Sequence, residues 1–205
     1  MRSPDNTSTK ISLKRATTAI RIYGAREAHW EGLILPDSNL DGGEVFETNN
    51  MKFLTQSVNI DPATGVLAWF AVTVNTEIEH WQSTETVDAN YHITEEWTSK
   101  GDIPAYGEIV TAELRQRDIG LLEGTLYIFQ IPKSADVQIL DRIVYEGKNY
   151  QVNSVDDVAM QNICRIQCGA DQRPDAIKDV TPDPEEPGNG NGENGNDDDN
   201  GNDDD

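Results

Sequence analysis

The sequence predicts an all-β fold: a small β-barrel or sandwich with an inserted β excursion and a disordered acidic C-terminal tail. Two observations lead to this prediction. Short segments of alternating apolar and polar residues recur along the chain, separated by turn residues about every eight to twelve positions, as in barrels and sandwiches. After residue 170 this pattern stops, and residues 171–205 contain 13 acidic and 2 basic residues. Such a segment buries too little apolar surface to offset the entropy of ordering it.

The first half of the chain alternates between strand-like segments and polar loops. Residues 1–9 are polar and predict a flexible arm. Residues 20–23 alternate as a strand does, and a helix over residues 12–19 is an alternative for the segment before them. Further strands are predicted over residues 30–35, 52–59 and 66–74. Residues 66–74 are the most apolar of these and are expected to be buried on both faces.

The second half contains the clearest hairpin. Residues 141–145 and 150–155 flank a turn, and Gly147 is predicted at the first central position of a type II′ turn. Lys100, Gly101 and Pro104 predict a chain break. Strands are predicted in the remaining alternating segments, residues 75–82, 91–97, 109–117, 125–131 and 164–168.

The net charge argues against two classes of partner. The chain has 16 basic and 37 acidic residues, a formal net charge of −21. Sequence-independent binding to nucleic acid needs an excess of Lys and Arg that displaces counterions from phosphates, and anionic membrane surfaces attract the same excess. The sequence also has no apolar run long enough for a transmembrane helix and no secretory signal in its polar first ten residues. No membrane is therefore expected among the partners.

No metal or cofactor site is predicted. Cys164 and Cys168 lie four residues apart on a predicted strand, roughly 13 Å from each other and beyond disulfide reach, so they are expected to be buried thiols. Residues 196–201 resemble the start of a calcium-binding loop, but the position of its bidentate glutamate falls after residue 205. Both features are better explained without a bound ion.

No catalytic residue is predicted either, and the chain is expected not to be an enzyme. The adjacent carboxylate pairs would point to opposite faces of a strand, and no nucleophile, phosphate-loop or metalloprotease motif is present. A catalytic group could still assemble from residues far apart in sequence, such as His29, His80 and Asp102.

The four tryptophans divide into core and surface candidates. Trp69 lies in the most apolar segment and is expected in the core. Trp81 and Trp97 are flanked by polar and charged residues, and they are the two that could form a surface platform for sugars or peptides.

The order of the motifs between residues 107 and 170 resembles a known family. Residues 109–115 are followed by the connector Leu-Leu-Glu-Gly-Thr and then by a short strand. An Asp-x-Ile-x-Tyr-x-Gly-x-x-Tyr-x-Val hairpin comes next, formed by Asp141, Ile143, Tyr145, Gly147, Tyr150 and Val152. This order is similar to that of the small β-barrel head-closure, stopper or head–tail connector proteins of tailed bacteriophages. Residues 20–23 and 30–32 resemble the opening strand and turn of that family.

The resemblance covers residues 16–35 and 107–170. It implies a β-barrel domain over residues 10–172, in which residues 36–106 are an insertion or an elaboration of the barrel, followed by the disordered tail at 173–205. The motif residues of the hairpin would have a structural role.

The resemblance also implies a function in the virion, assembled in the cytoplasm of the host bacterium. The protein would form a homo-oligomeric ring in the neck that closes the DNA-filled head, with portal or adaptor and tail proteins as partners. Genomic DNA would pass through its channel without specific binding, because like charges prevent adhesion. The alternative is a β-sandwich binding or decoration module on the virion surface that binds a receptor or glycan; a hydrolytic enzyme is the third hypothesis.

Overall fold

The computed structural model describes residues 10–16, 28–35, 38, 40–87, 91 and 93–173. Several predicted segments lie outside these residues: the N-terminal arm, the strand over residues 20–23 and nearly all of the acidic tail. In the described part, no helix is long and apolar enough to cross a membrane.

The predicted all-β class is confirmed. Eleven strands are present in the described residues, arranged as one open sheet and one closed barrel. The five-stranded antiparallel sheet has the order β1-β2-β5-β4-β3, with β1 Lys14–Arg15, β2 His29–Ile34, β3 Val45–Thr48, β4 Met51–Ile60 and β5 Leu67–Thr73. The barrel has the order β10-β11-β8-β7-β6-β9, with β6 Thr76–Val87, β7 Ile93–Ile109, β8 Tyr127–Pro132, β9 Arg142–Tyr145, β10 Lys148–Asp156 and β11 Ile163–Ala170.

The open sheet has a core of its own. Phe46, Phe53 and Trp69 pack together there, and the Trp69 side chain is fully buried, as predicted. Alternation along β5 places Trp69 and Ala71 on this face and directs Phe70 and Val72 to the other. Val72 is buried, whereas Phe70 remains 40% exposed, so the prediction that this strand is buried on both faces fails at Phe70.

The barrel has a second core, and a third cluster joins the two units. Its interior is filled by alternate residues of its strands, among them Ile78, Phe129, Ile143, Val152 and Ile166. At the junction, Leu54 and Val72 of the sheet pack against Tyr106 and Ile163 of the barrel. One face of the open sheet therefore lies against the barrel wall.

Strands β1 to β5 form the open sheet, and strands β6 to β11 form the barrel. One barrel domain over residues 10–172, with residues 36–106 as an insertion or an elaboration of the barrel, stays a prediction. β6 and β7 belong to the barrel because β7 bridges β6 and β8 and so closes the circle. The strand β2, which resembles the opening of the family pattern, lies in the open sheet.

The predicted break at residues 100–104 is wrong. β7 continues through it, and Gly101 adopts φ +97°, where the register with β6 shifts between His80 and Trp81. Gly tolerates this conformation, so the irregularity is a β-bulge within the strand. Pro104 lies in a part of β7 that pairs with β6 before the pairing with β8 begins at Tyr106.

The predicted strand over residues 109–117 is also wrong. β7 ends at Ile109, and α1, Ala112–Arg117, follows. The Thr111 hydroxyl accepts a hydrogen bond from the Leu114 amide at 3.2 Å, Glu113 lies in the first turn, and Arg115 and Arg117 lie in the last. These are the residues that favour a helix start and a helix end, so capping and dipole interactions outweigh the alternating pattern.

The hairpin of β9 and β10 is confirmed, but its turn type is not. Tyr145 and Lys148 are the closing pair, which makes Glu146 and Gly147 the two central residues. Their φ angles are +49° and +70°. Two positive φ angles define a type I′ turn, with Gly147 second, whereas a type II′ turn has only its first central residue at positive φ.

The strand predicted at residues 164–168 is confirmed as part of β11. Cys164 and Cys168 are both buried and free, as expected, and both belong to the barrel core. Burial raises the pKa of the Cys164 thiol to about 11 and raises the pKa of the Cys168 thiol further. Both thiols are therefore protonated and unreactive near neutral pH.

Candidate interaction surface

The hairpin of β6 and β7 extends beyond the barrel. β9 pairs with β6 only at Glu79–Trp81, and β8 pairs with β7 only from Tyr106 onward. Between these limits, six residue pairs from Gln82 opposite Thr98 to Val87 opposite Ile93 form a two-stranded segment. Within the described residues no third strand pairs with it. We call this segment, residues 82–87 and 93–98, the ribbon; at the rise of a strand it projects by roughly 20 Å.

The ribbon is acidic. Glu85 and Glu95 lie directly opposite each other, and Glu96 lies opposite Thr84. Glu85, Glu95 and Glu96 are exposed, and there is no Lys or Arg between Gln82 and Ser99. Like charges directly opposite each other destabilise a strand pair, so the ribbon carries a local electrostatic cost.

A buried ion cluster holds the base of the ribbon, and we call it the basal clamp. Its members are Trp97, Arg142, Asp171 and Arg173. Arg142 donates from Nε to Asp171 at 2.7 Å, and Arg173 donates from Nε to the same carboxylate at 2.9 Å. The two guanidinium groups lie over the Trp97 ring, 4.1 and 4.7 Å from its centroid. The clamp thus attaches the last described residues of the chain to the ribbon.

The carboxylate at the centre of the clamp is ionised by its partners. Burial alone would raise the pKa of Asp171, because it disfavours the charged form. The hydrogen bonds from Arg173 and Arg142 outweigh burial, so the pKa of Asp171 is lowered below its usual value. Arg142 and Asp171 are almost completely buried, so the two charges depend on each other.

The two tryptophans predicted as surface candidates lie on this same face. Trp81 and Trp97 are both half-buried, and alternation along β6 and β7 places them on one side of the hairpin. Two arginines cover the Trp97 ring, and the Trp81 indole nitrogen is buried without a hydrogen-bond partner in the described part of the chain. The structure therefore brings the pair together at the base of the ribbon, with Trp97 inside the clamp.

The hairpin motif residues lie in the wall and interior of the barrel. Ile143, Tyr150 and Val152 belong to the barrel core, and Gly147 occupies the turn. The Tyr145 ring contacts the aromatic rings of Tyr127 and Phe129 edge-on, and Tyr127 contacts Tyr150 in the same way.

The first residue of the motif, Asp141, pairs with a histidine. Its carboxylate lies 2.7 Å from His80 Nε2 and accepts a hydrogen bond from the Gln138 amide at 2.7 Å. Both side chains are buried. This contact ties β6 to the start of β9, next to the β-bulge.

The other catalytic candidates are placed apart from that pair. Asp102 and His80 line a cavity of about 440 Å³, but Asp141, not Asp102, bonds the histidine. His29 is on the open sheet, 6.2 Å from the Tyr106 ring centroid. His80 Nδ1 is buried without a partner among the described atoms, so no hydroxyl or thiol of these residues is bonded to the ring. The pair links β6 to the residue that precedes β9.

A larger cavity of about 630 Å³ lies between the open sheet and the barrel. Most of its lining is apolar and aromatic, including Trp30, Phe70, Tyr106, Ile128 and Met160. Polar side chains at its wall bond one another: Gln56 donates to Gln130 at 2.8 Å, and Arg165 donates to Asp118 at 2.6 Å. In the described residues no group of three His, Cys, Asp or Glu side chains could hold a metal ion.

The basal clamp is not evident from the sequence. Arg142 is an ordinary basic residue in an alternating strand, and Asp171 and Arg173 lie at the start of the acidic segment. The one sequence feature that points to it is the Asp-x-Arg spacing of Asp171 and Arg173, directly after the last strand.

Fold and site together define an all-β protein with a closed barrel, a second sheet and an acidic ribbon. No family model and no curated protein matches the chain. Among solved structures it is similar to protein SF1141 from Shigella flexneri 2a, with 18% identity and a TM-score of 0.40, over 49% of this chain and 96% of that one.

Proposed function

We propose that this protein is a structural component of the head–tail junction of a tailed bacteriophage. It assembles into a ring in the neck, closes the DNA-filled head and provides the surface on which the tail docks. Two observations support this function: the motif order in residues 107–170, which resembles that of the head-closure family, and the shape of the molecule.

The observation that carries the proposal is the ribbon. An isolated two-stranded ribbon is at best marginally stable in water, and this one also carries the opposed Glu85 and Glu95. Its base is nevertheless fastened by buried charges in the basal clamp. A firmly anchored segment that has no third strand beside it among the described residues offers edges with which another subunit can pair.

The charge distribution supports a DNA conduit. The whole chain carries −21 and residues 171–205 carry −11 of that charge. An acidic surface repels the phosphate backbone, so DNA can move along it without binding. This property suits a channel component and does not suit a DNA-binding protein.

The test is the mass of the full-length protein in solution, measured by light scattering alone and after mixing with portal or adaptor rings. We expect a ring-sized species, either alone or on those rings. A monomer that ignores both kinds of ring would contradict the proposal.

The cavity between the sheet and the barrel favours a second candidate, a binding or decoration module of the virion surface. Its volume of about 630 Å³ and its aromatic lining are typical of ligand pockets. A monomer that retains a glycan or peptide in a binding screen would favour this candidate over the ring.

A further inference from the structure

Free strand edges in the described residues include the outer edges of β1 and β3 in the open sheet and the two sides of the ribbon, residues 82–87 and 93–98. Free edges present unpaired backbone groups, and another chain can pair with them by adding a strand.

The charges of these edges differ. The ribbon carries Glu85, Glu95 and Glu96 and no Lys or Arg of its own, although Arg173 of the basal clamp lies 3.8 Å from Glu95. The β3 edge is also acidic, with Asp41, Glu44 and Glu47 in residues 40–48 and no base. Of these edges, the β1 edge is the basic one: Lys10, Lys14 and Arg15 are exposed, and residues 10–16 contain no acid. Within the same copy, Lys14 Nζ lies 3.2 Å from Glu31 Oε1 of β2, and the Arg15 guanidinium lies 5.9 Å from the centroid of the Trp30 ring.

The backbone of the β1 edge is suitably oriented for pairing. The Ser12 amide donates to Leu33 at 2.9 Å and the Ala16 amide donates to His29 at 3.1 Å. Backbone groups alternate in direction along a strand, so those of Leu13 and Arg15 point away from β2. The side that faces away from the sheet therefore has donors and acceptors in register with a further strand.

We propose that the ribbon of one copy of this chain adds onto the β1 edge of the next copy. The inference rests on the ring assembly proposed above and identifies its subunit contact. Ribbon against ribbon is disfavoured because both carry the same charge, so the contact joins two different surfaces. Repeated head to tail, a contact between two different surfaces forms a ring when its rotation closes, and the ring assembly proposed above requires that closure.

Three features of the ribbon are accounted for by this contact. Lys10, Lys14 and Arg15 of the neighbour supply positive charge beside the opposed Glu85 and Glu95. A third strand also converts a marginal two-stranded ribbon into a more stable sheet. Val87, which is 61% exposed, gains a neighbour at the ribbon's outer end.

Two charge-reversed full-length variants test the contact. The ribbon variant is Glu85→Lys with Glu96→Lys, and the edge variant is Lys10→Glu with Arg15→Glu. Each variant alone opposes like charges at every contact, so self-association should weaken by at least roughly tenfold. When the two are mixed in equal amounts, reversed ribbon meets reversed edge and native ribbon meets native edge. The wild-type mass should therefore return in light scattering.

The matched control is Glu47→Lys with Glu123→Lys, which changes the same number of exposed acids away from the ribbon and should keep the wild-type mass. A further variant replaces residues 84–96 with Asn-Gly, so that Ser83 and Trp97 flank a tight turn and the clamp is retained. It should fold, by circular dichroism, and remain monomeric.

The possible outcomes distinguish the ribbon contact from the ring proposal. Variants that assemble like wild type, or a mixture that fails to recover the mass, overturn the ribbon contact and leave the ring proposal standing. The wild-type protein could also be monomeric alone and form rings only on a portal. If the ribbon variants then still form rings on the portal, the ribbon contact is overturned. A monomer that ignores portal rings overturns both proposals.

Discussion

At the scale of single residues, the basal clamp is the most demanding feature of the molecule. Burying Arg142 and Asp171 removes two charges from water, and this cost is repaid only while both are present and bonded. The Trp97 ring completes the arrangement, because a guanidinium over an aromatic face keeps a favourable electrostatic contact away from water.

Replacing Asp171 with Asn should lower the free energy of unfolding by about 3 kcal/mol, because it leaves buried guanidinium charge without its counter-ion. Urea denaturation at neutral pH measures this change. The control is Glu123→Gln, an exposed acid outside the clamp, which should stay within about 0.5 kcal/mol of wild type.

The pH dependence of the same variant follows from the lowered pKa of Asp171. A carboxyl whose pKa is lower in the folded state stabilises the fold above its unfolded pKa, near pH 4. That contribution disappears as the pH falls from there through the folded-state pKa. The wild type should therefore lose more stability than Asp171→Asn on acidification below about pH 4. If the two proteins lose the same free energy of unfolding on acidification below about pH 4, the lowered pKa of Asp171 is contradicted.

At the scale of elements, local backbone chemistry decides where strands turn and end. Glu146 and Gly147 both have positive φ in the β9–β10 turn, although glutamate does not favour that conformation. Thr111 starts α1 at a point where alternation alone predicts a continued strand. In both places a few hydrogen bonds and dihedral angles outweigh the pattern of apolar residues.

Replacing Glu146 with Asn should stabilise the protein by about 0.5 kcal/mol, because Asn-Gly is the preferred pair for a type I′ turn. Thermal unfolding measures this as a rise of a few degrees at most. Gly147→Ala is the opposing control, since φ +70° strains an L-residue, and it should destabilise by about 1 kcal/mol. A Glu146→Asn variant that is less stable than wild type would contradict the prediction.

At the scale of the whole molecule, charge is distributed unevenly. The acidic ribbon and the start of the acidic segment meet at one place, because Arg173 of the basal clamp lies 3.8 Å from Glu95 of the ribbon. Arg173, the last described residue, therefore lies beside the ribbon, and residues 174–205 follow it in sequence. We propose that this segment lines the DNA conduit or projects from the virion as a solubilising brush.

Deleting residues 174–205 removes a net charge of −11 and leaves the basal clamp complete. Ring assembly should persist, because the proposed subunit contact does not involve these residues. Virion infectivity should fall, because less charge then repels DNA or neighbouring particles. Assembly by light scattering and infectivity by plaque count measure the two effects; if neither changes, the segment has no role in either.

The all-β class, the buried thiols, the core position of Trp69 and the β9–β10 hairpin were predictable from the sequence alone. Each depends on near neighbours in the chain: alternation on a strand, four-residue spacing, an apolar run, a turn glycine. The boundary between open sheet and barrel, the His80–Asp141 pair, the basal clamp and the projecting ribbon were decided only by the tertiary structure. His80 and Asp141 are 61 positions apart, and Arg142 and Asp171 are 29 apart. Contacts at that separation depend on which strands pair, and closure of the barrel determines the pairing.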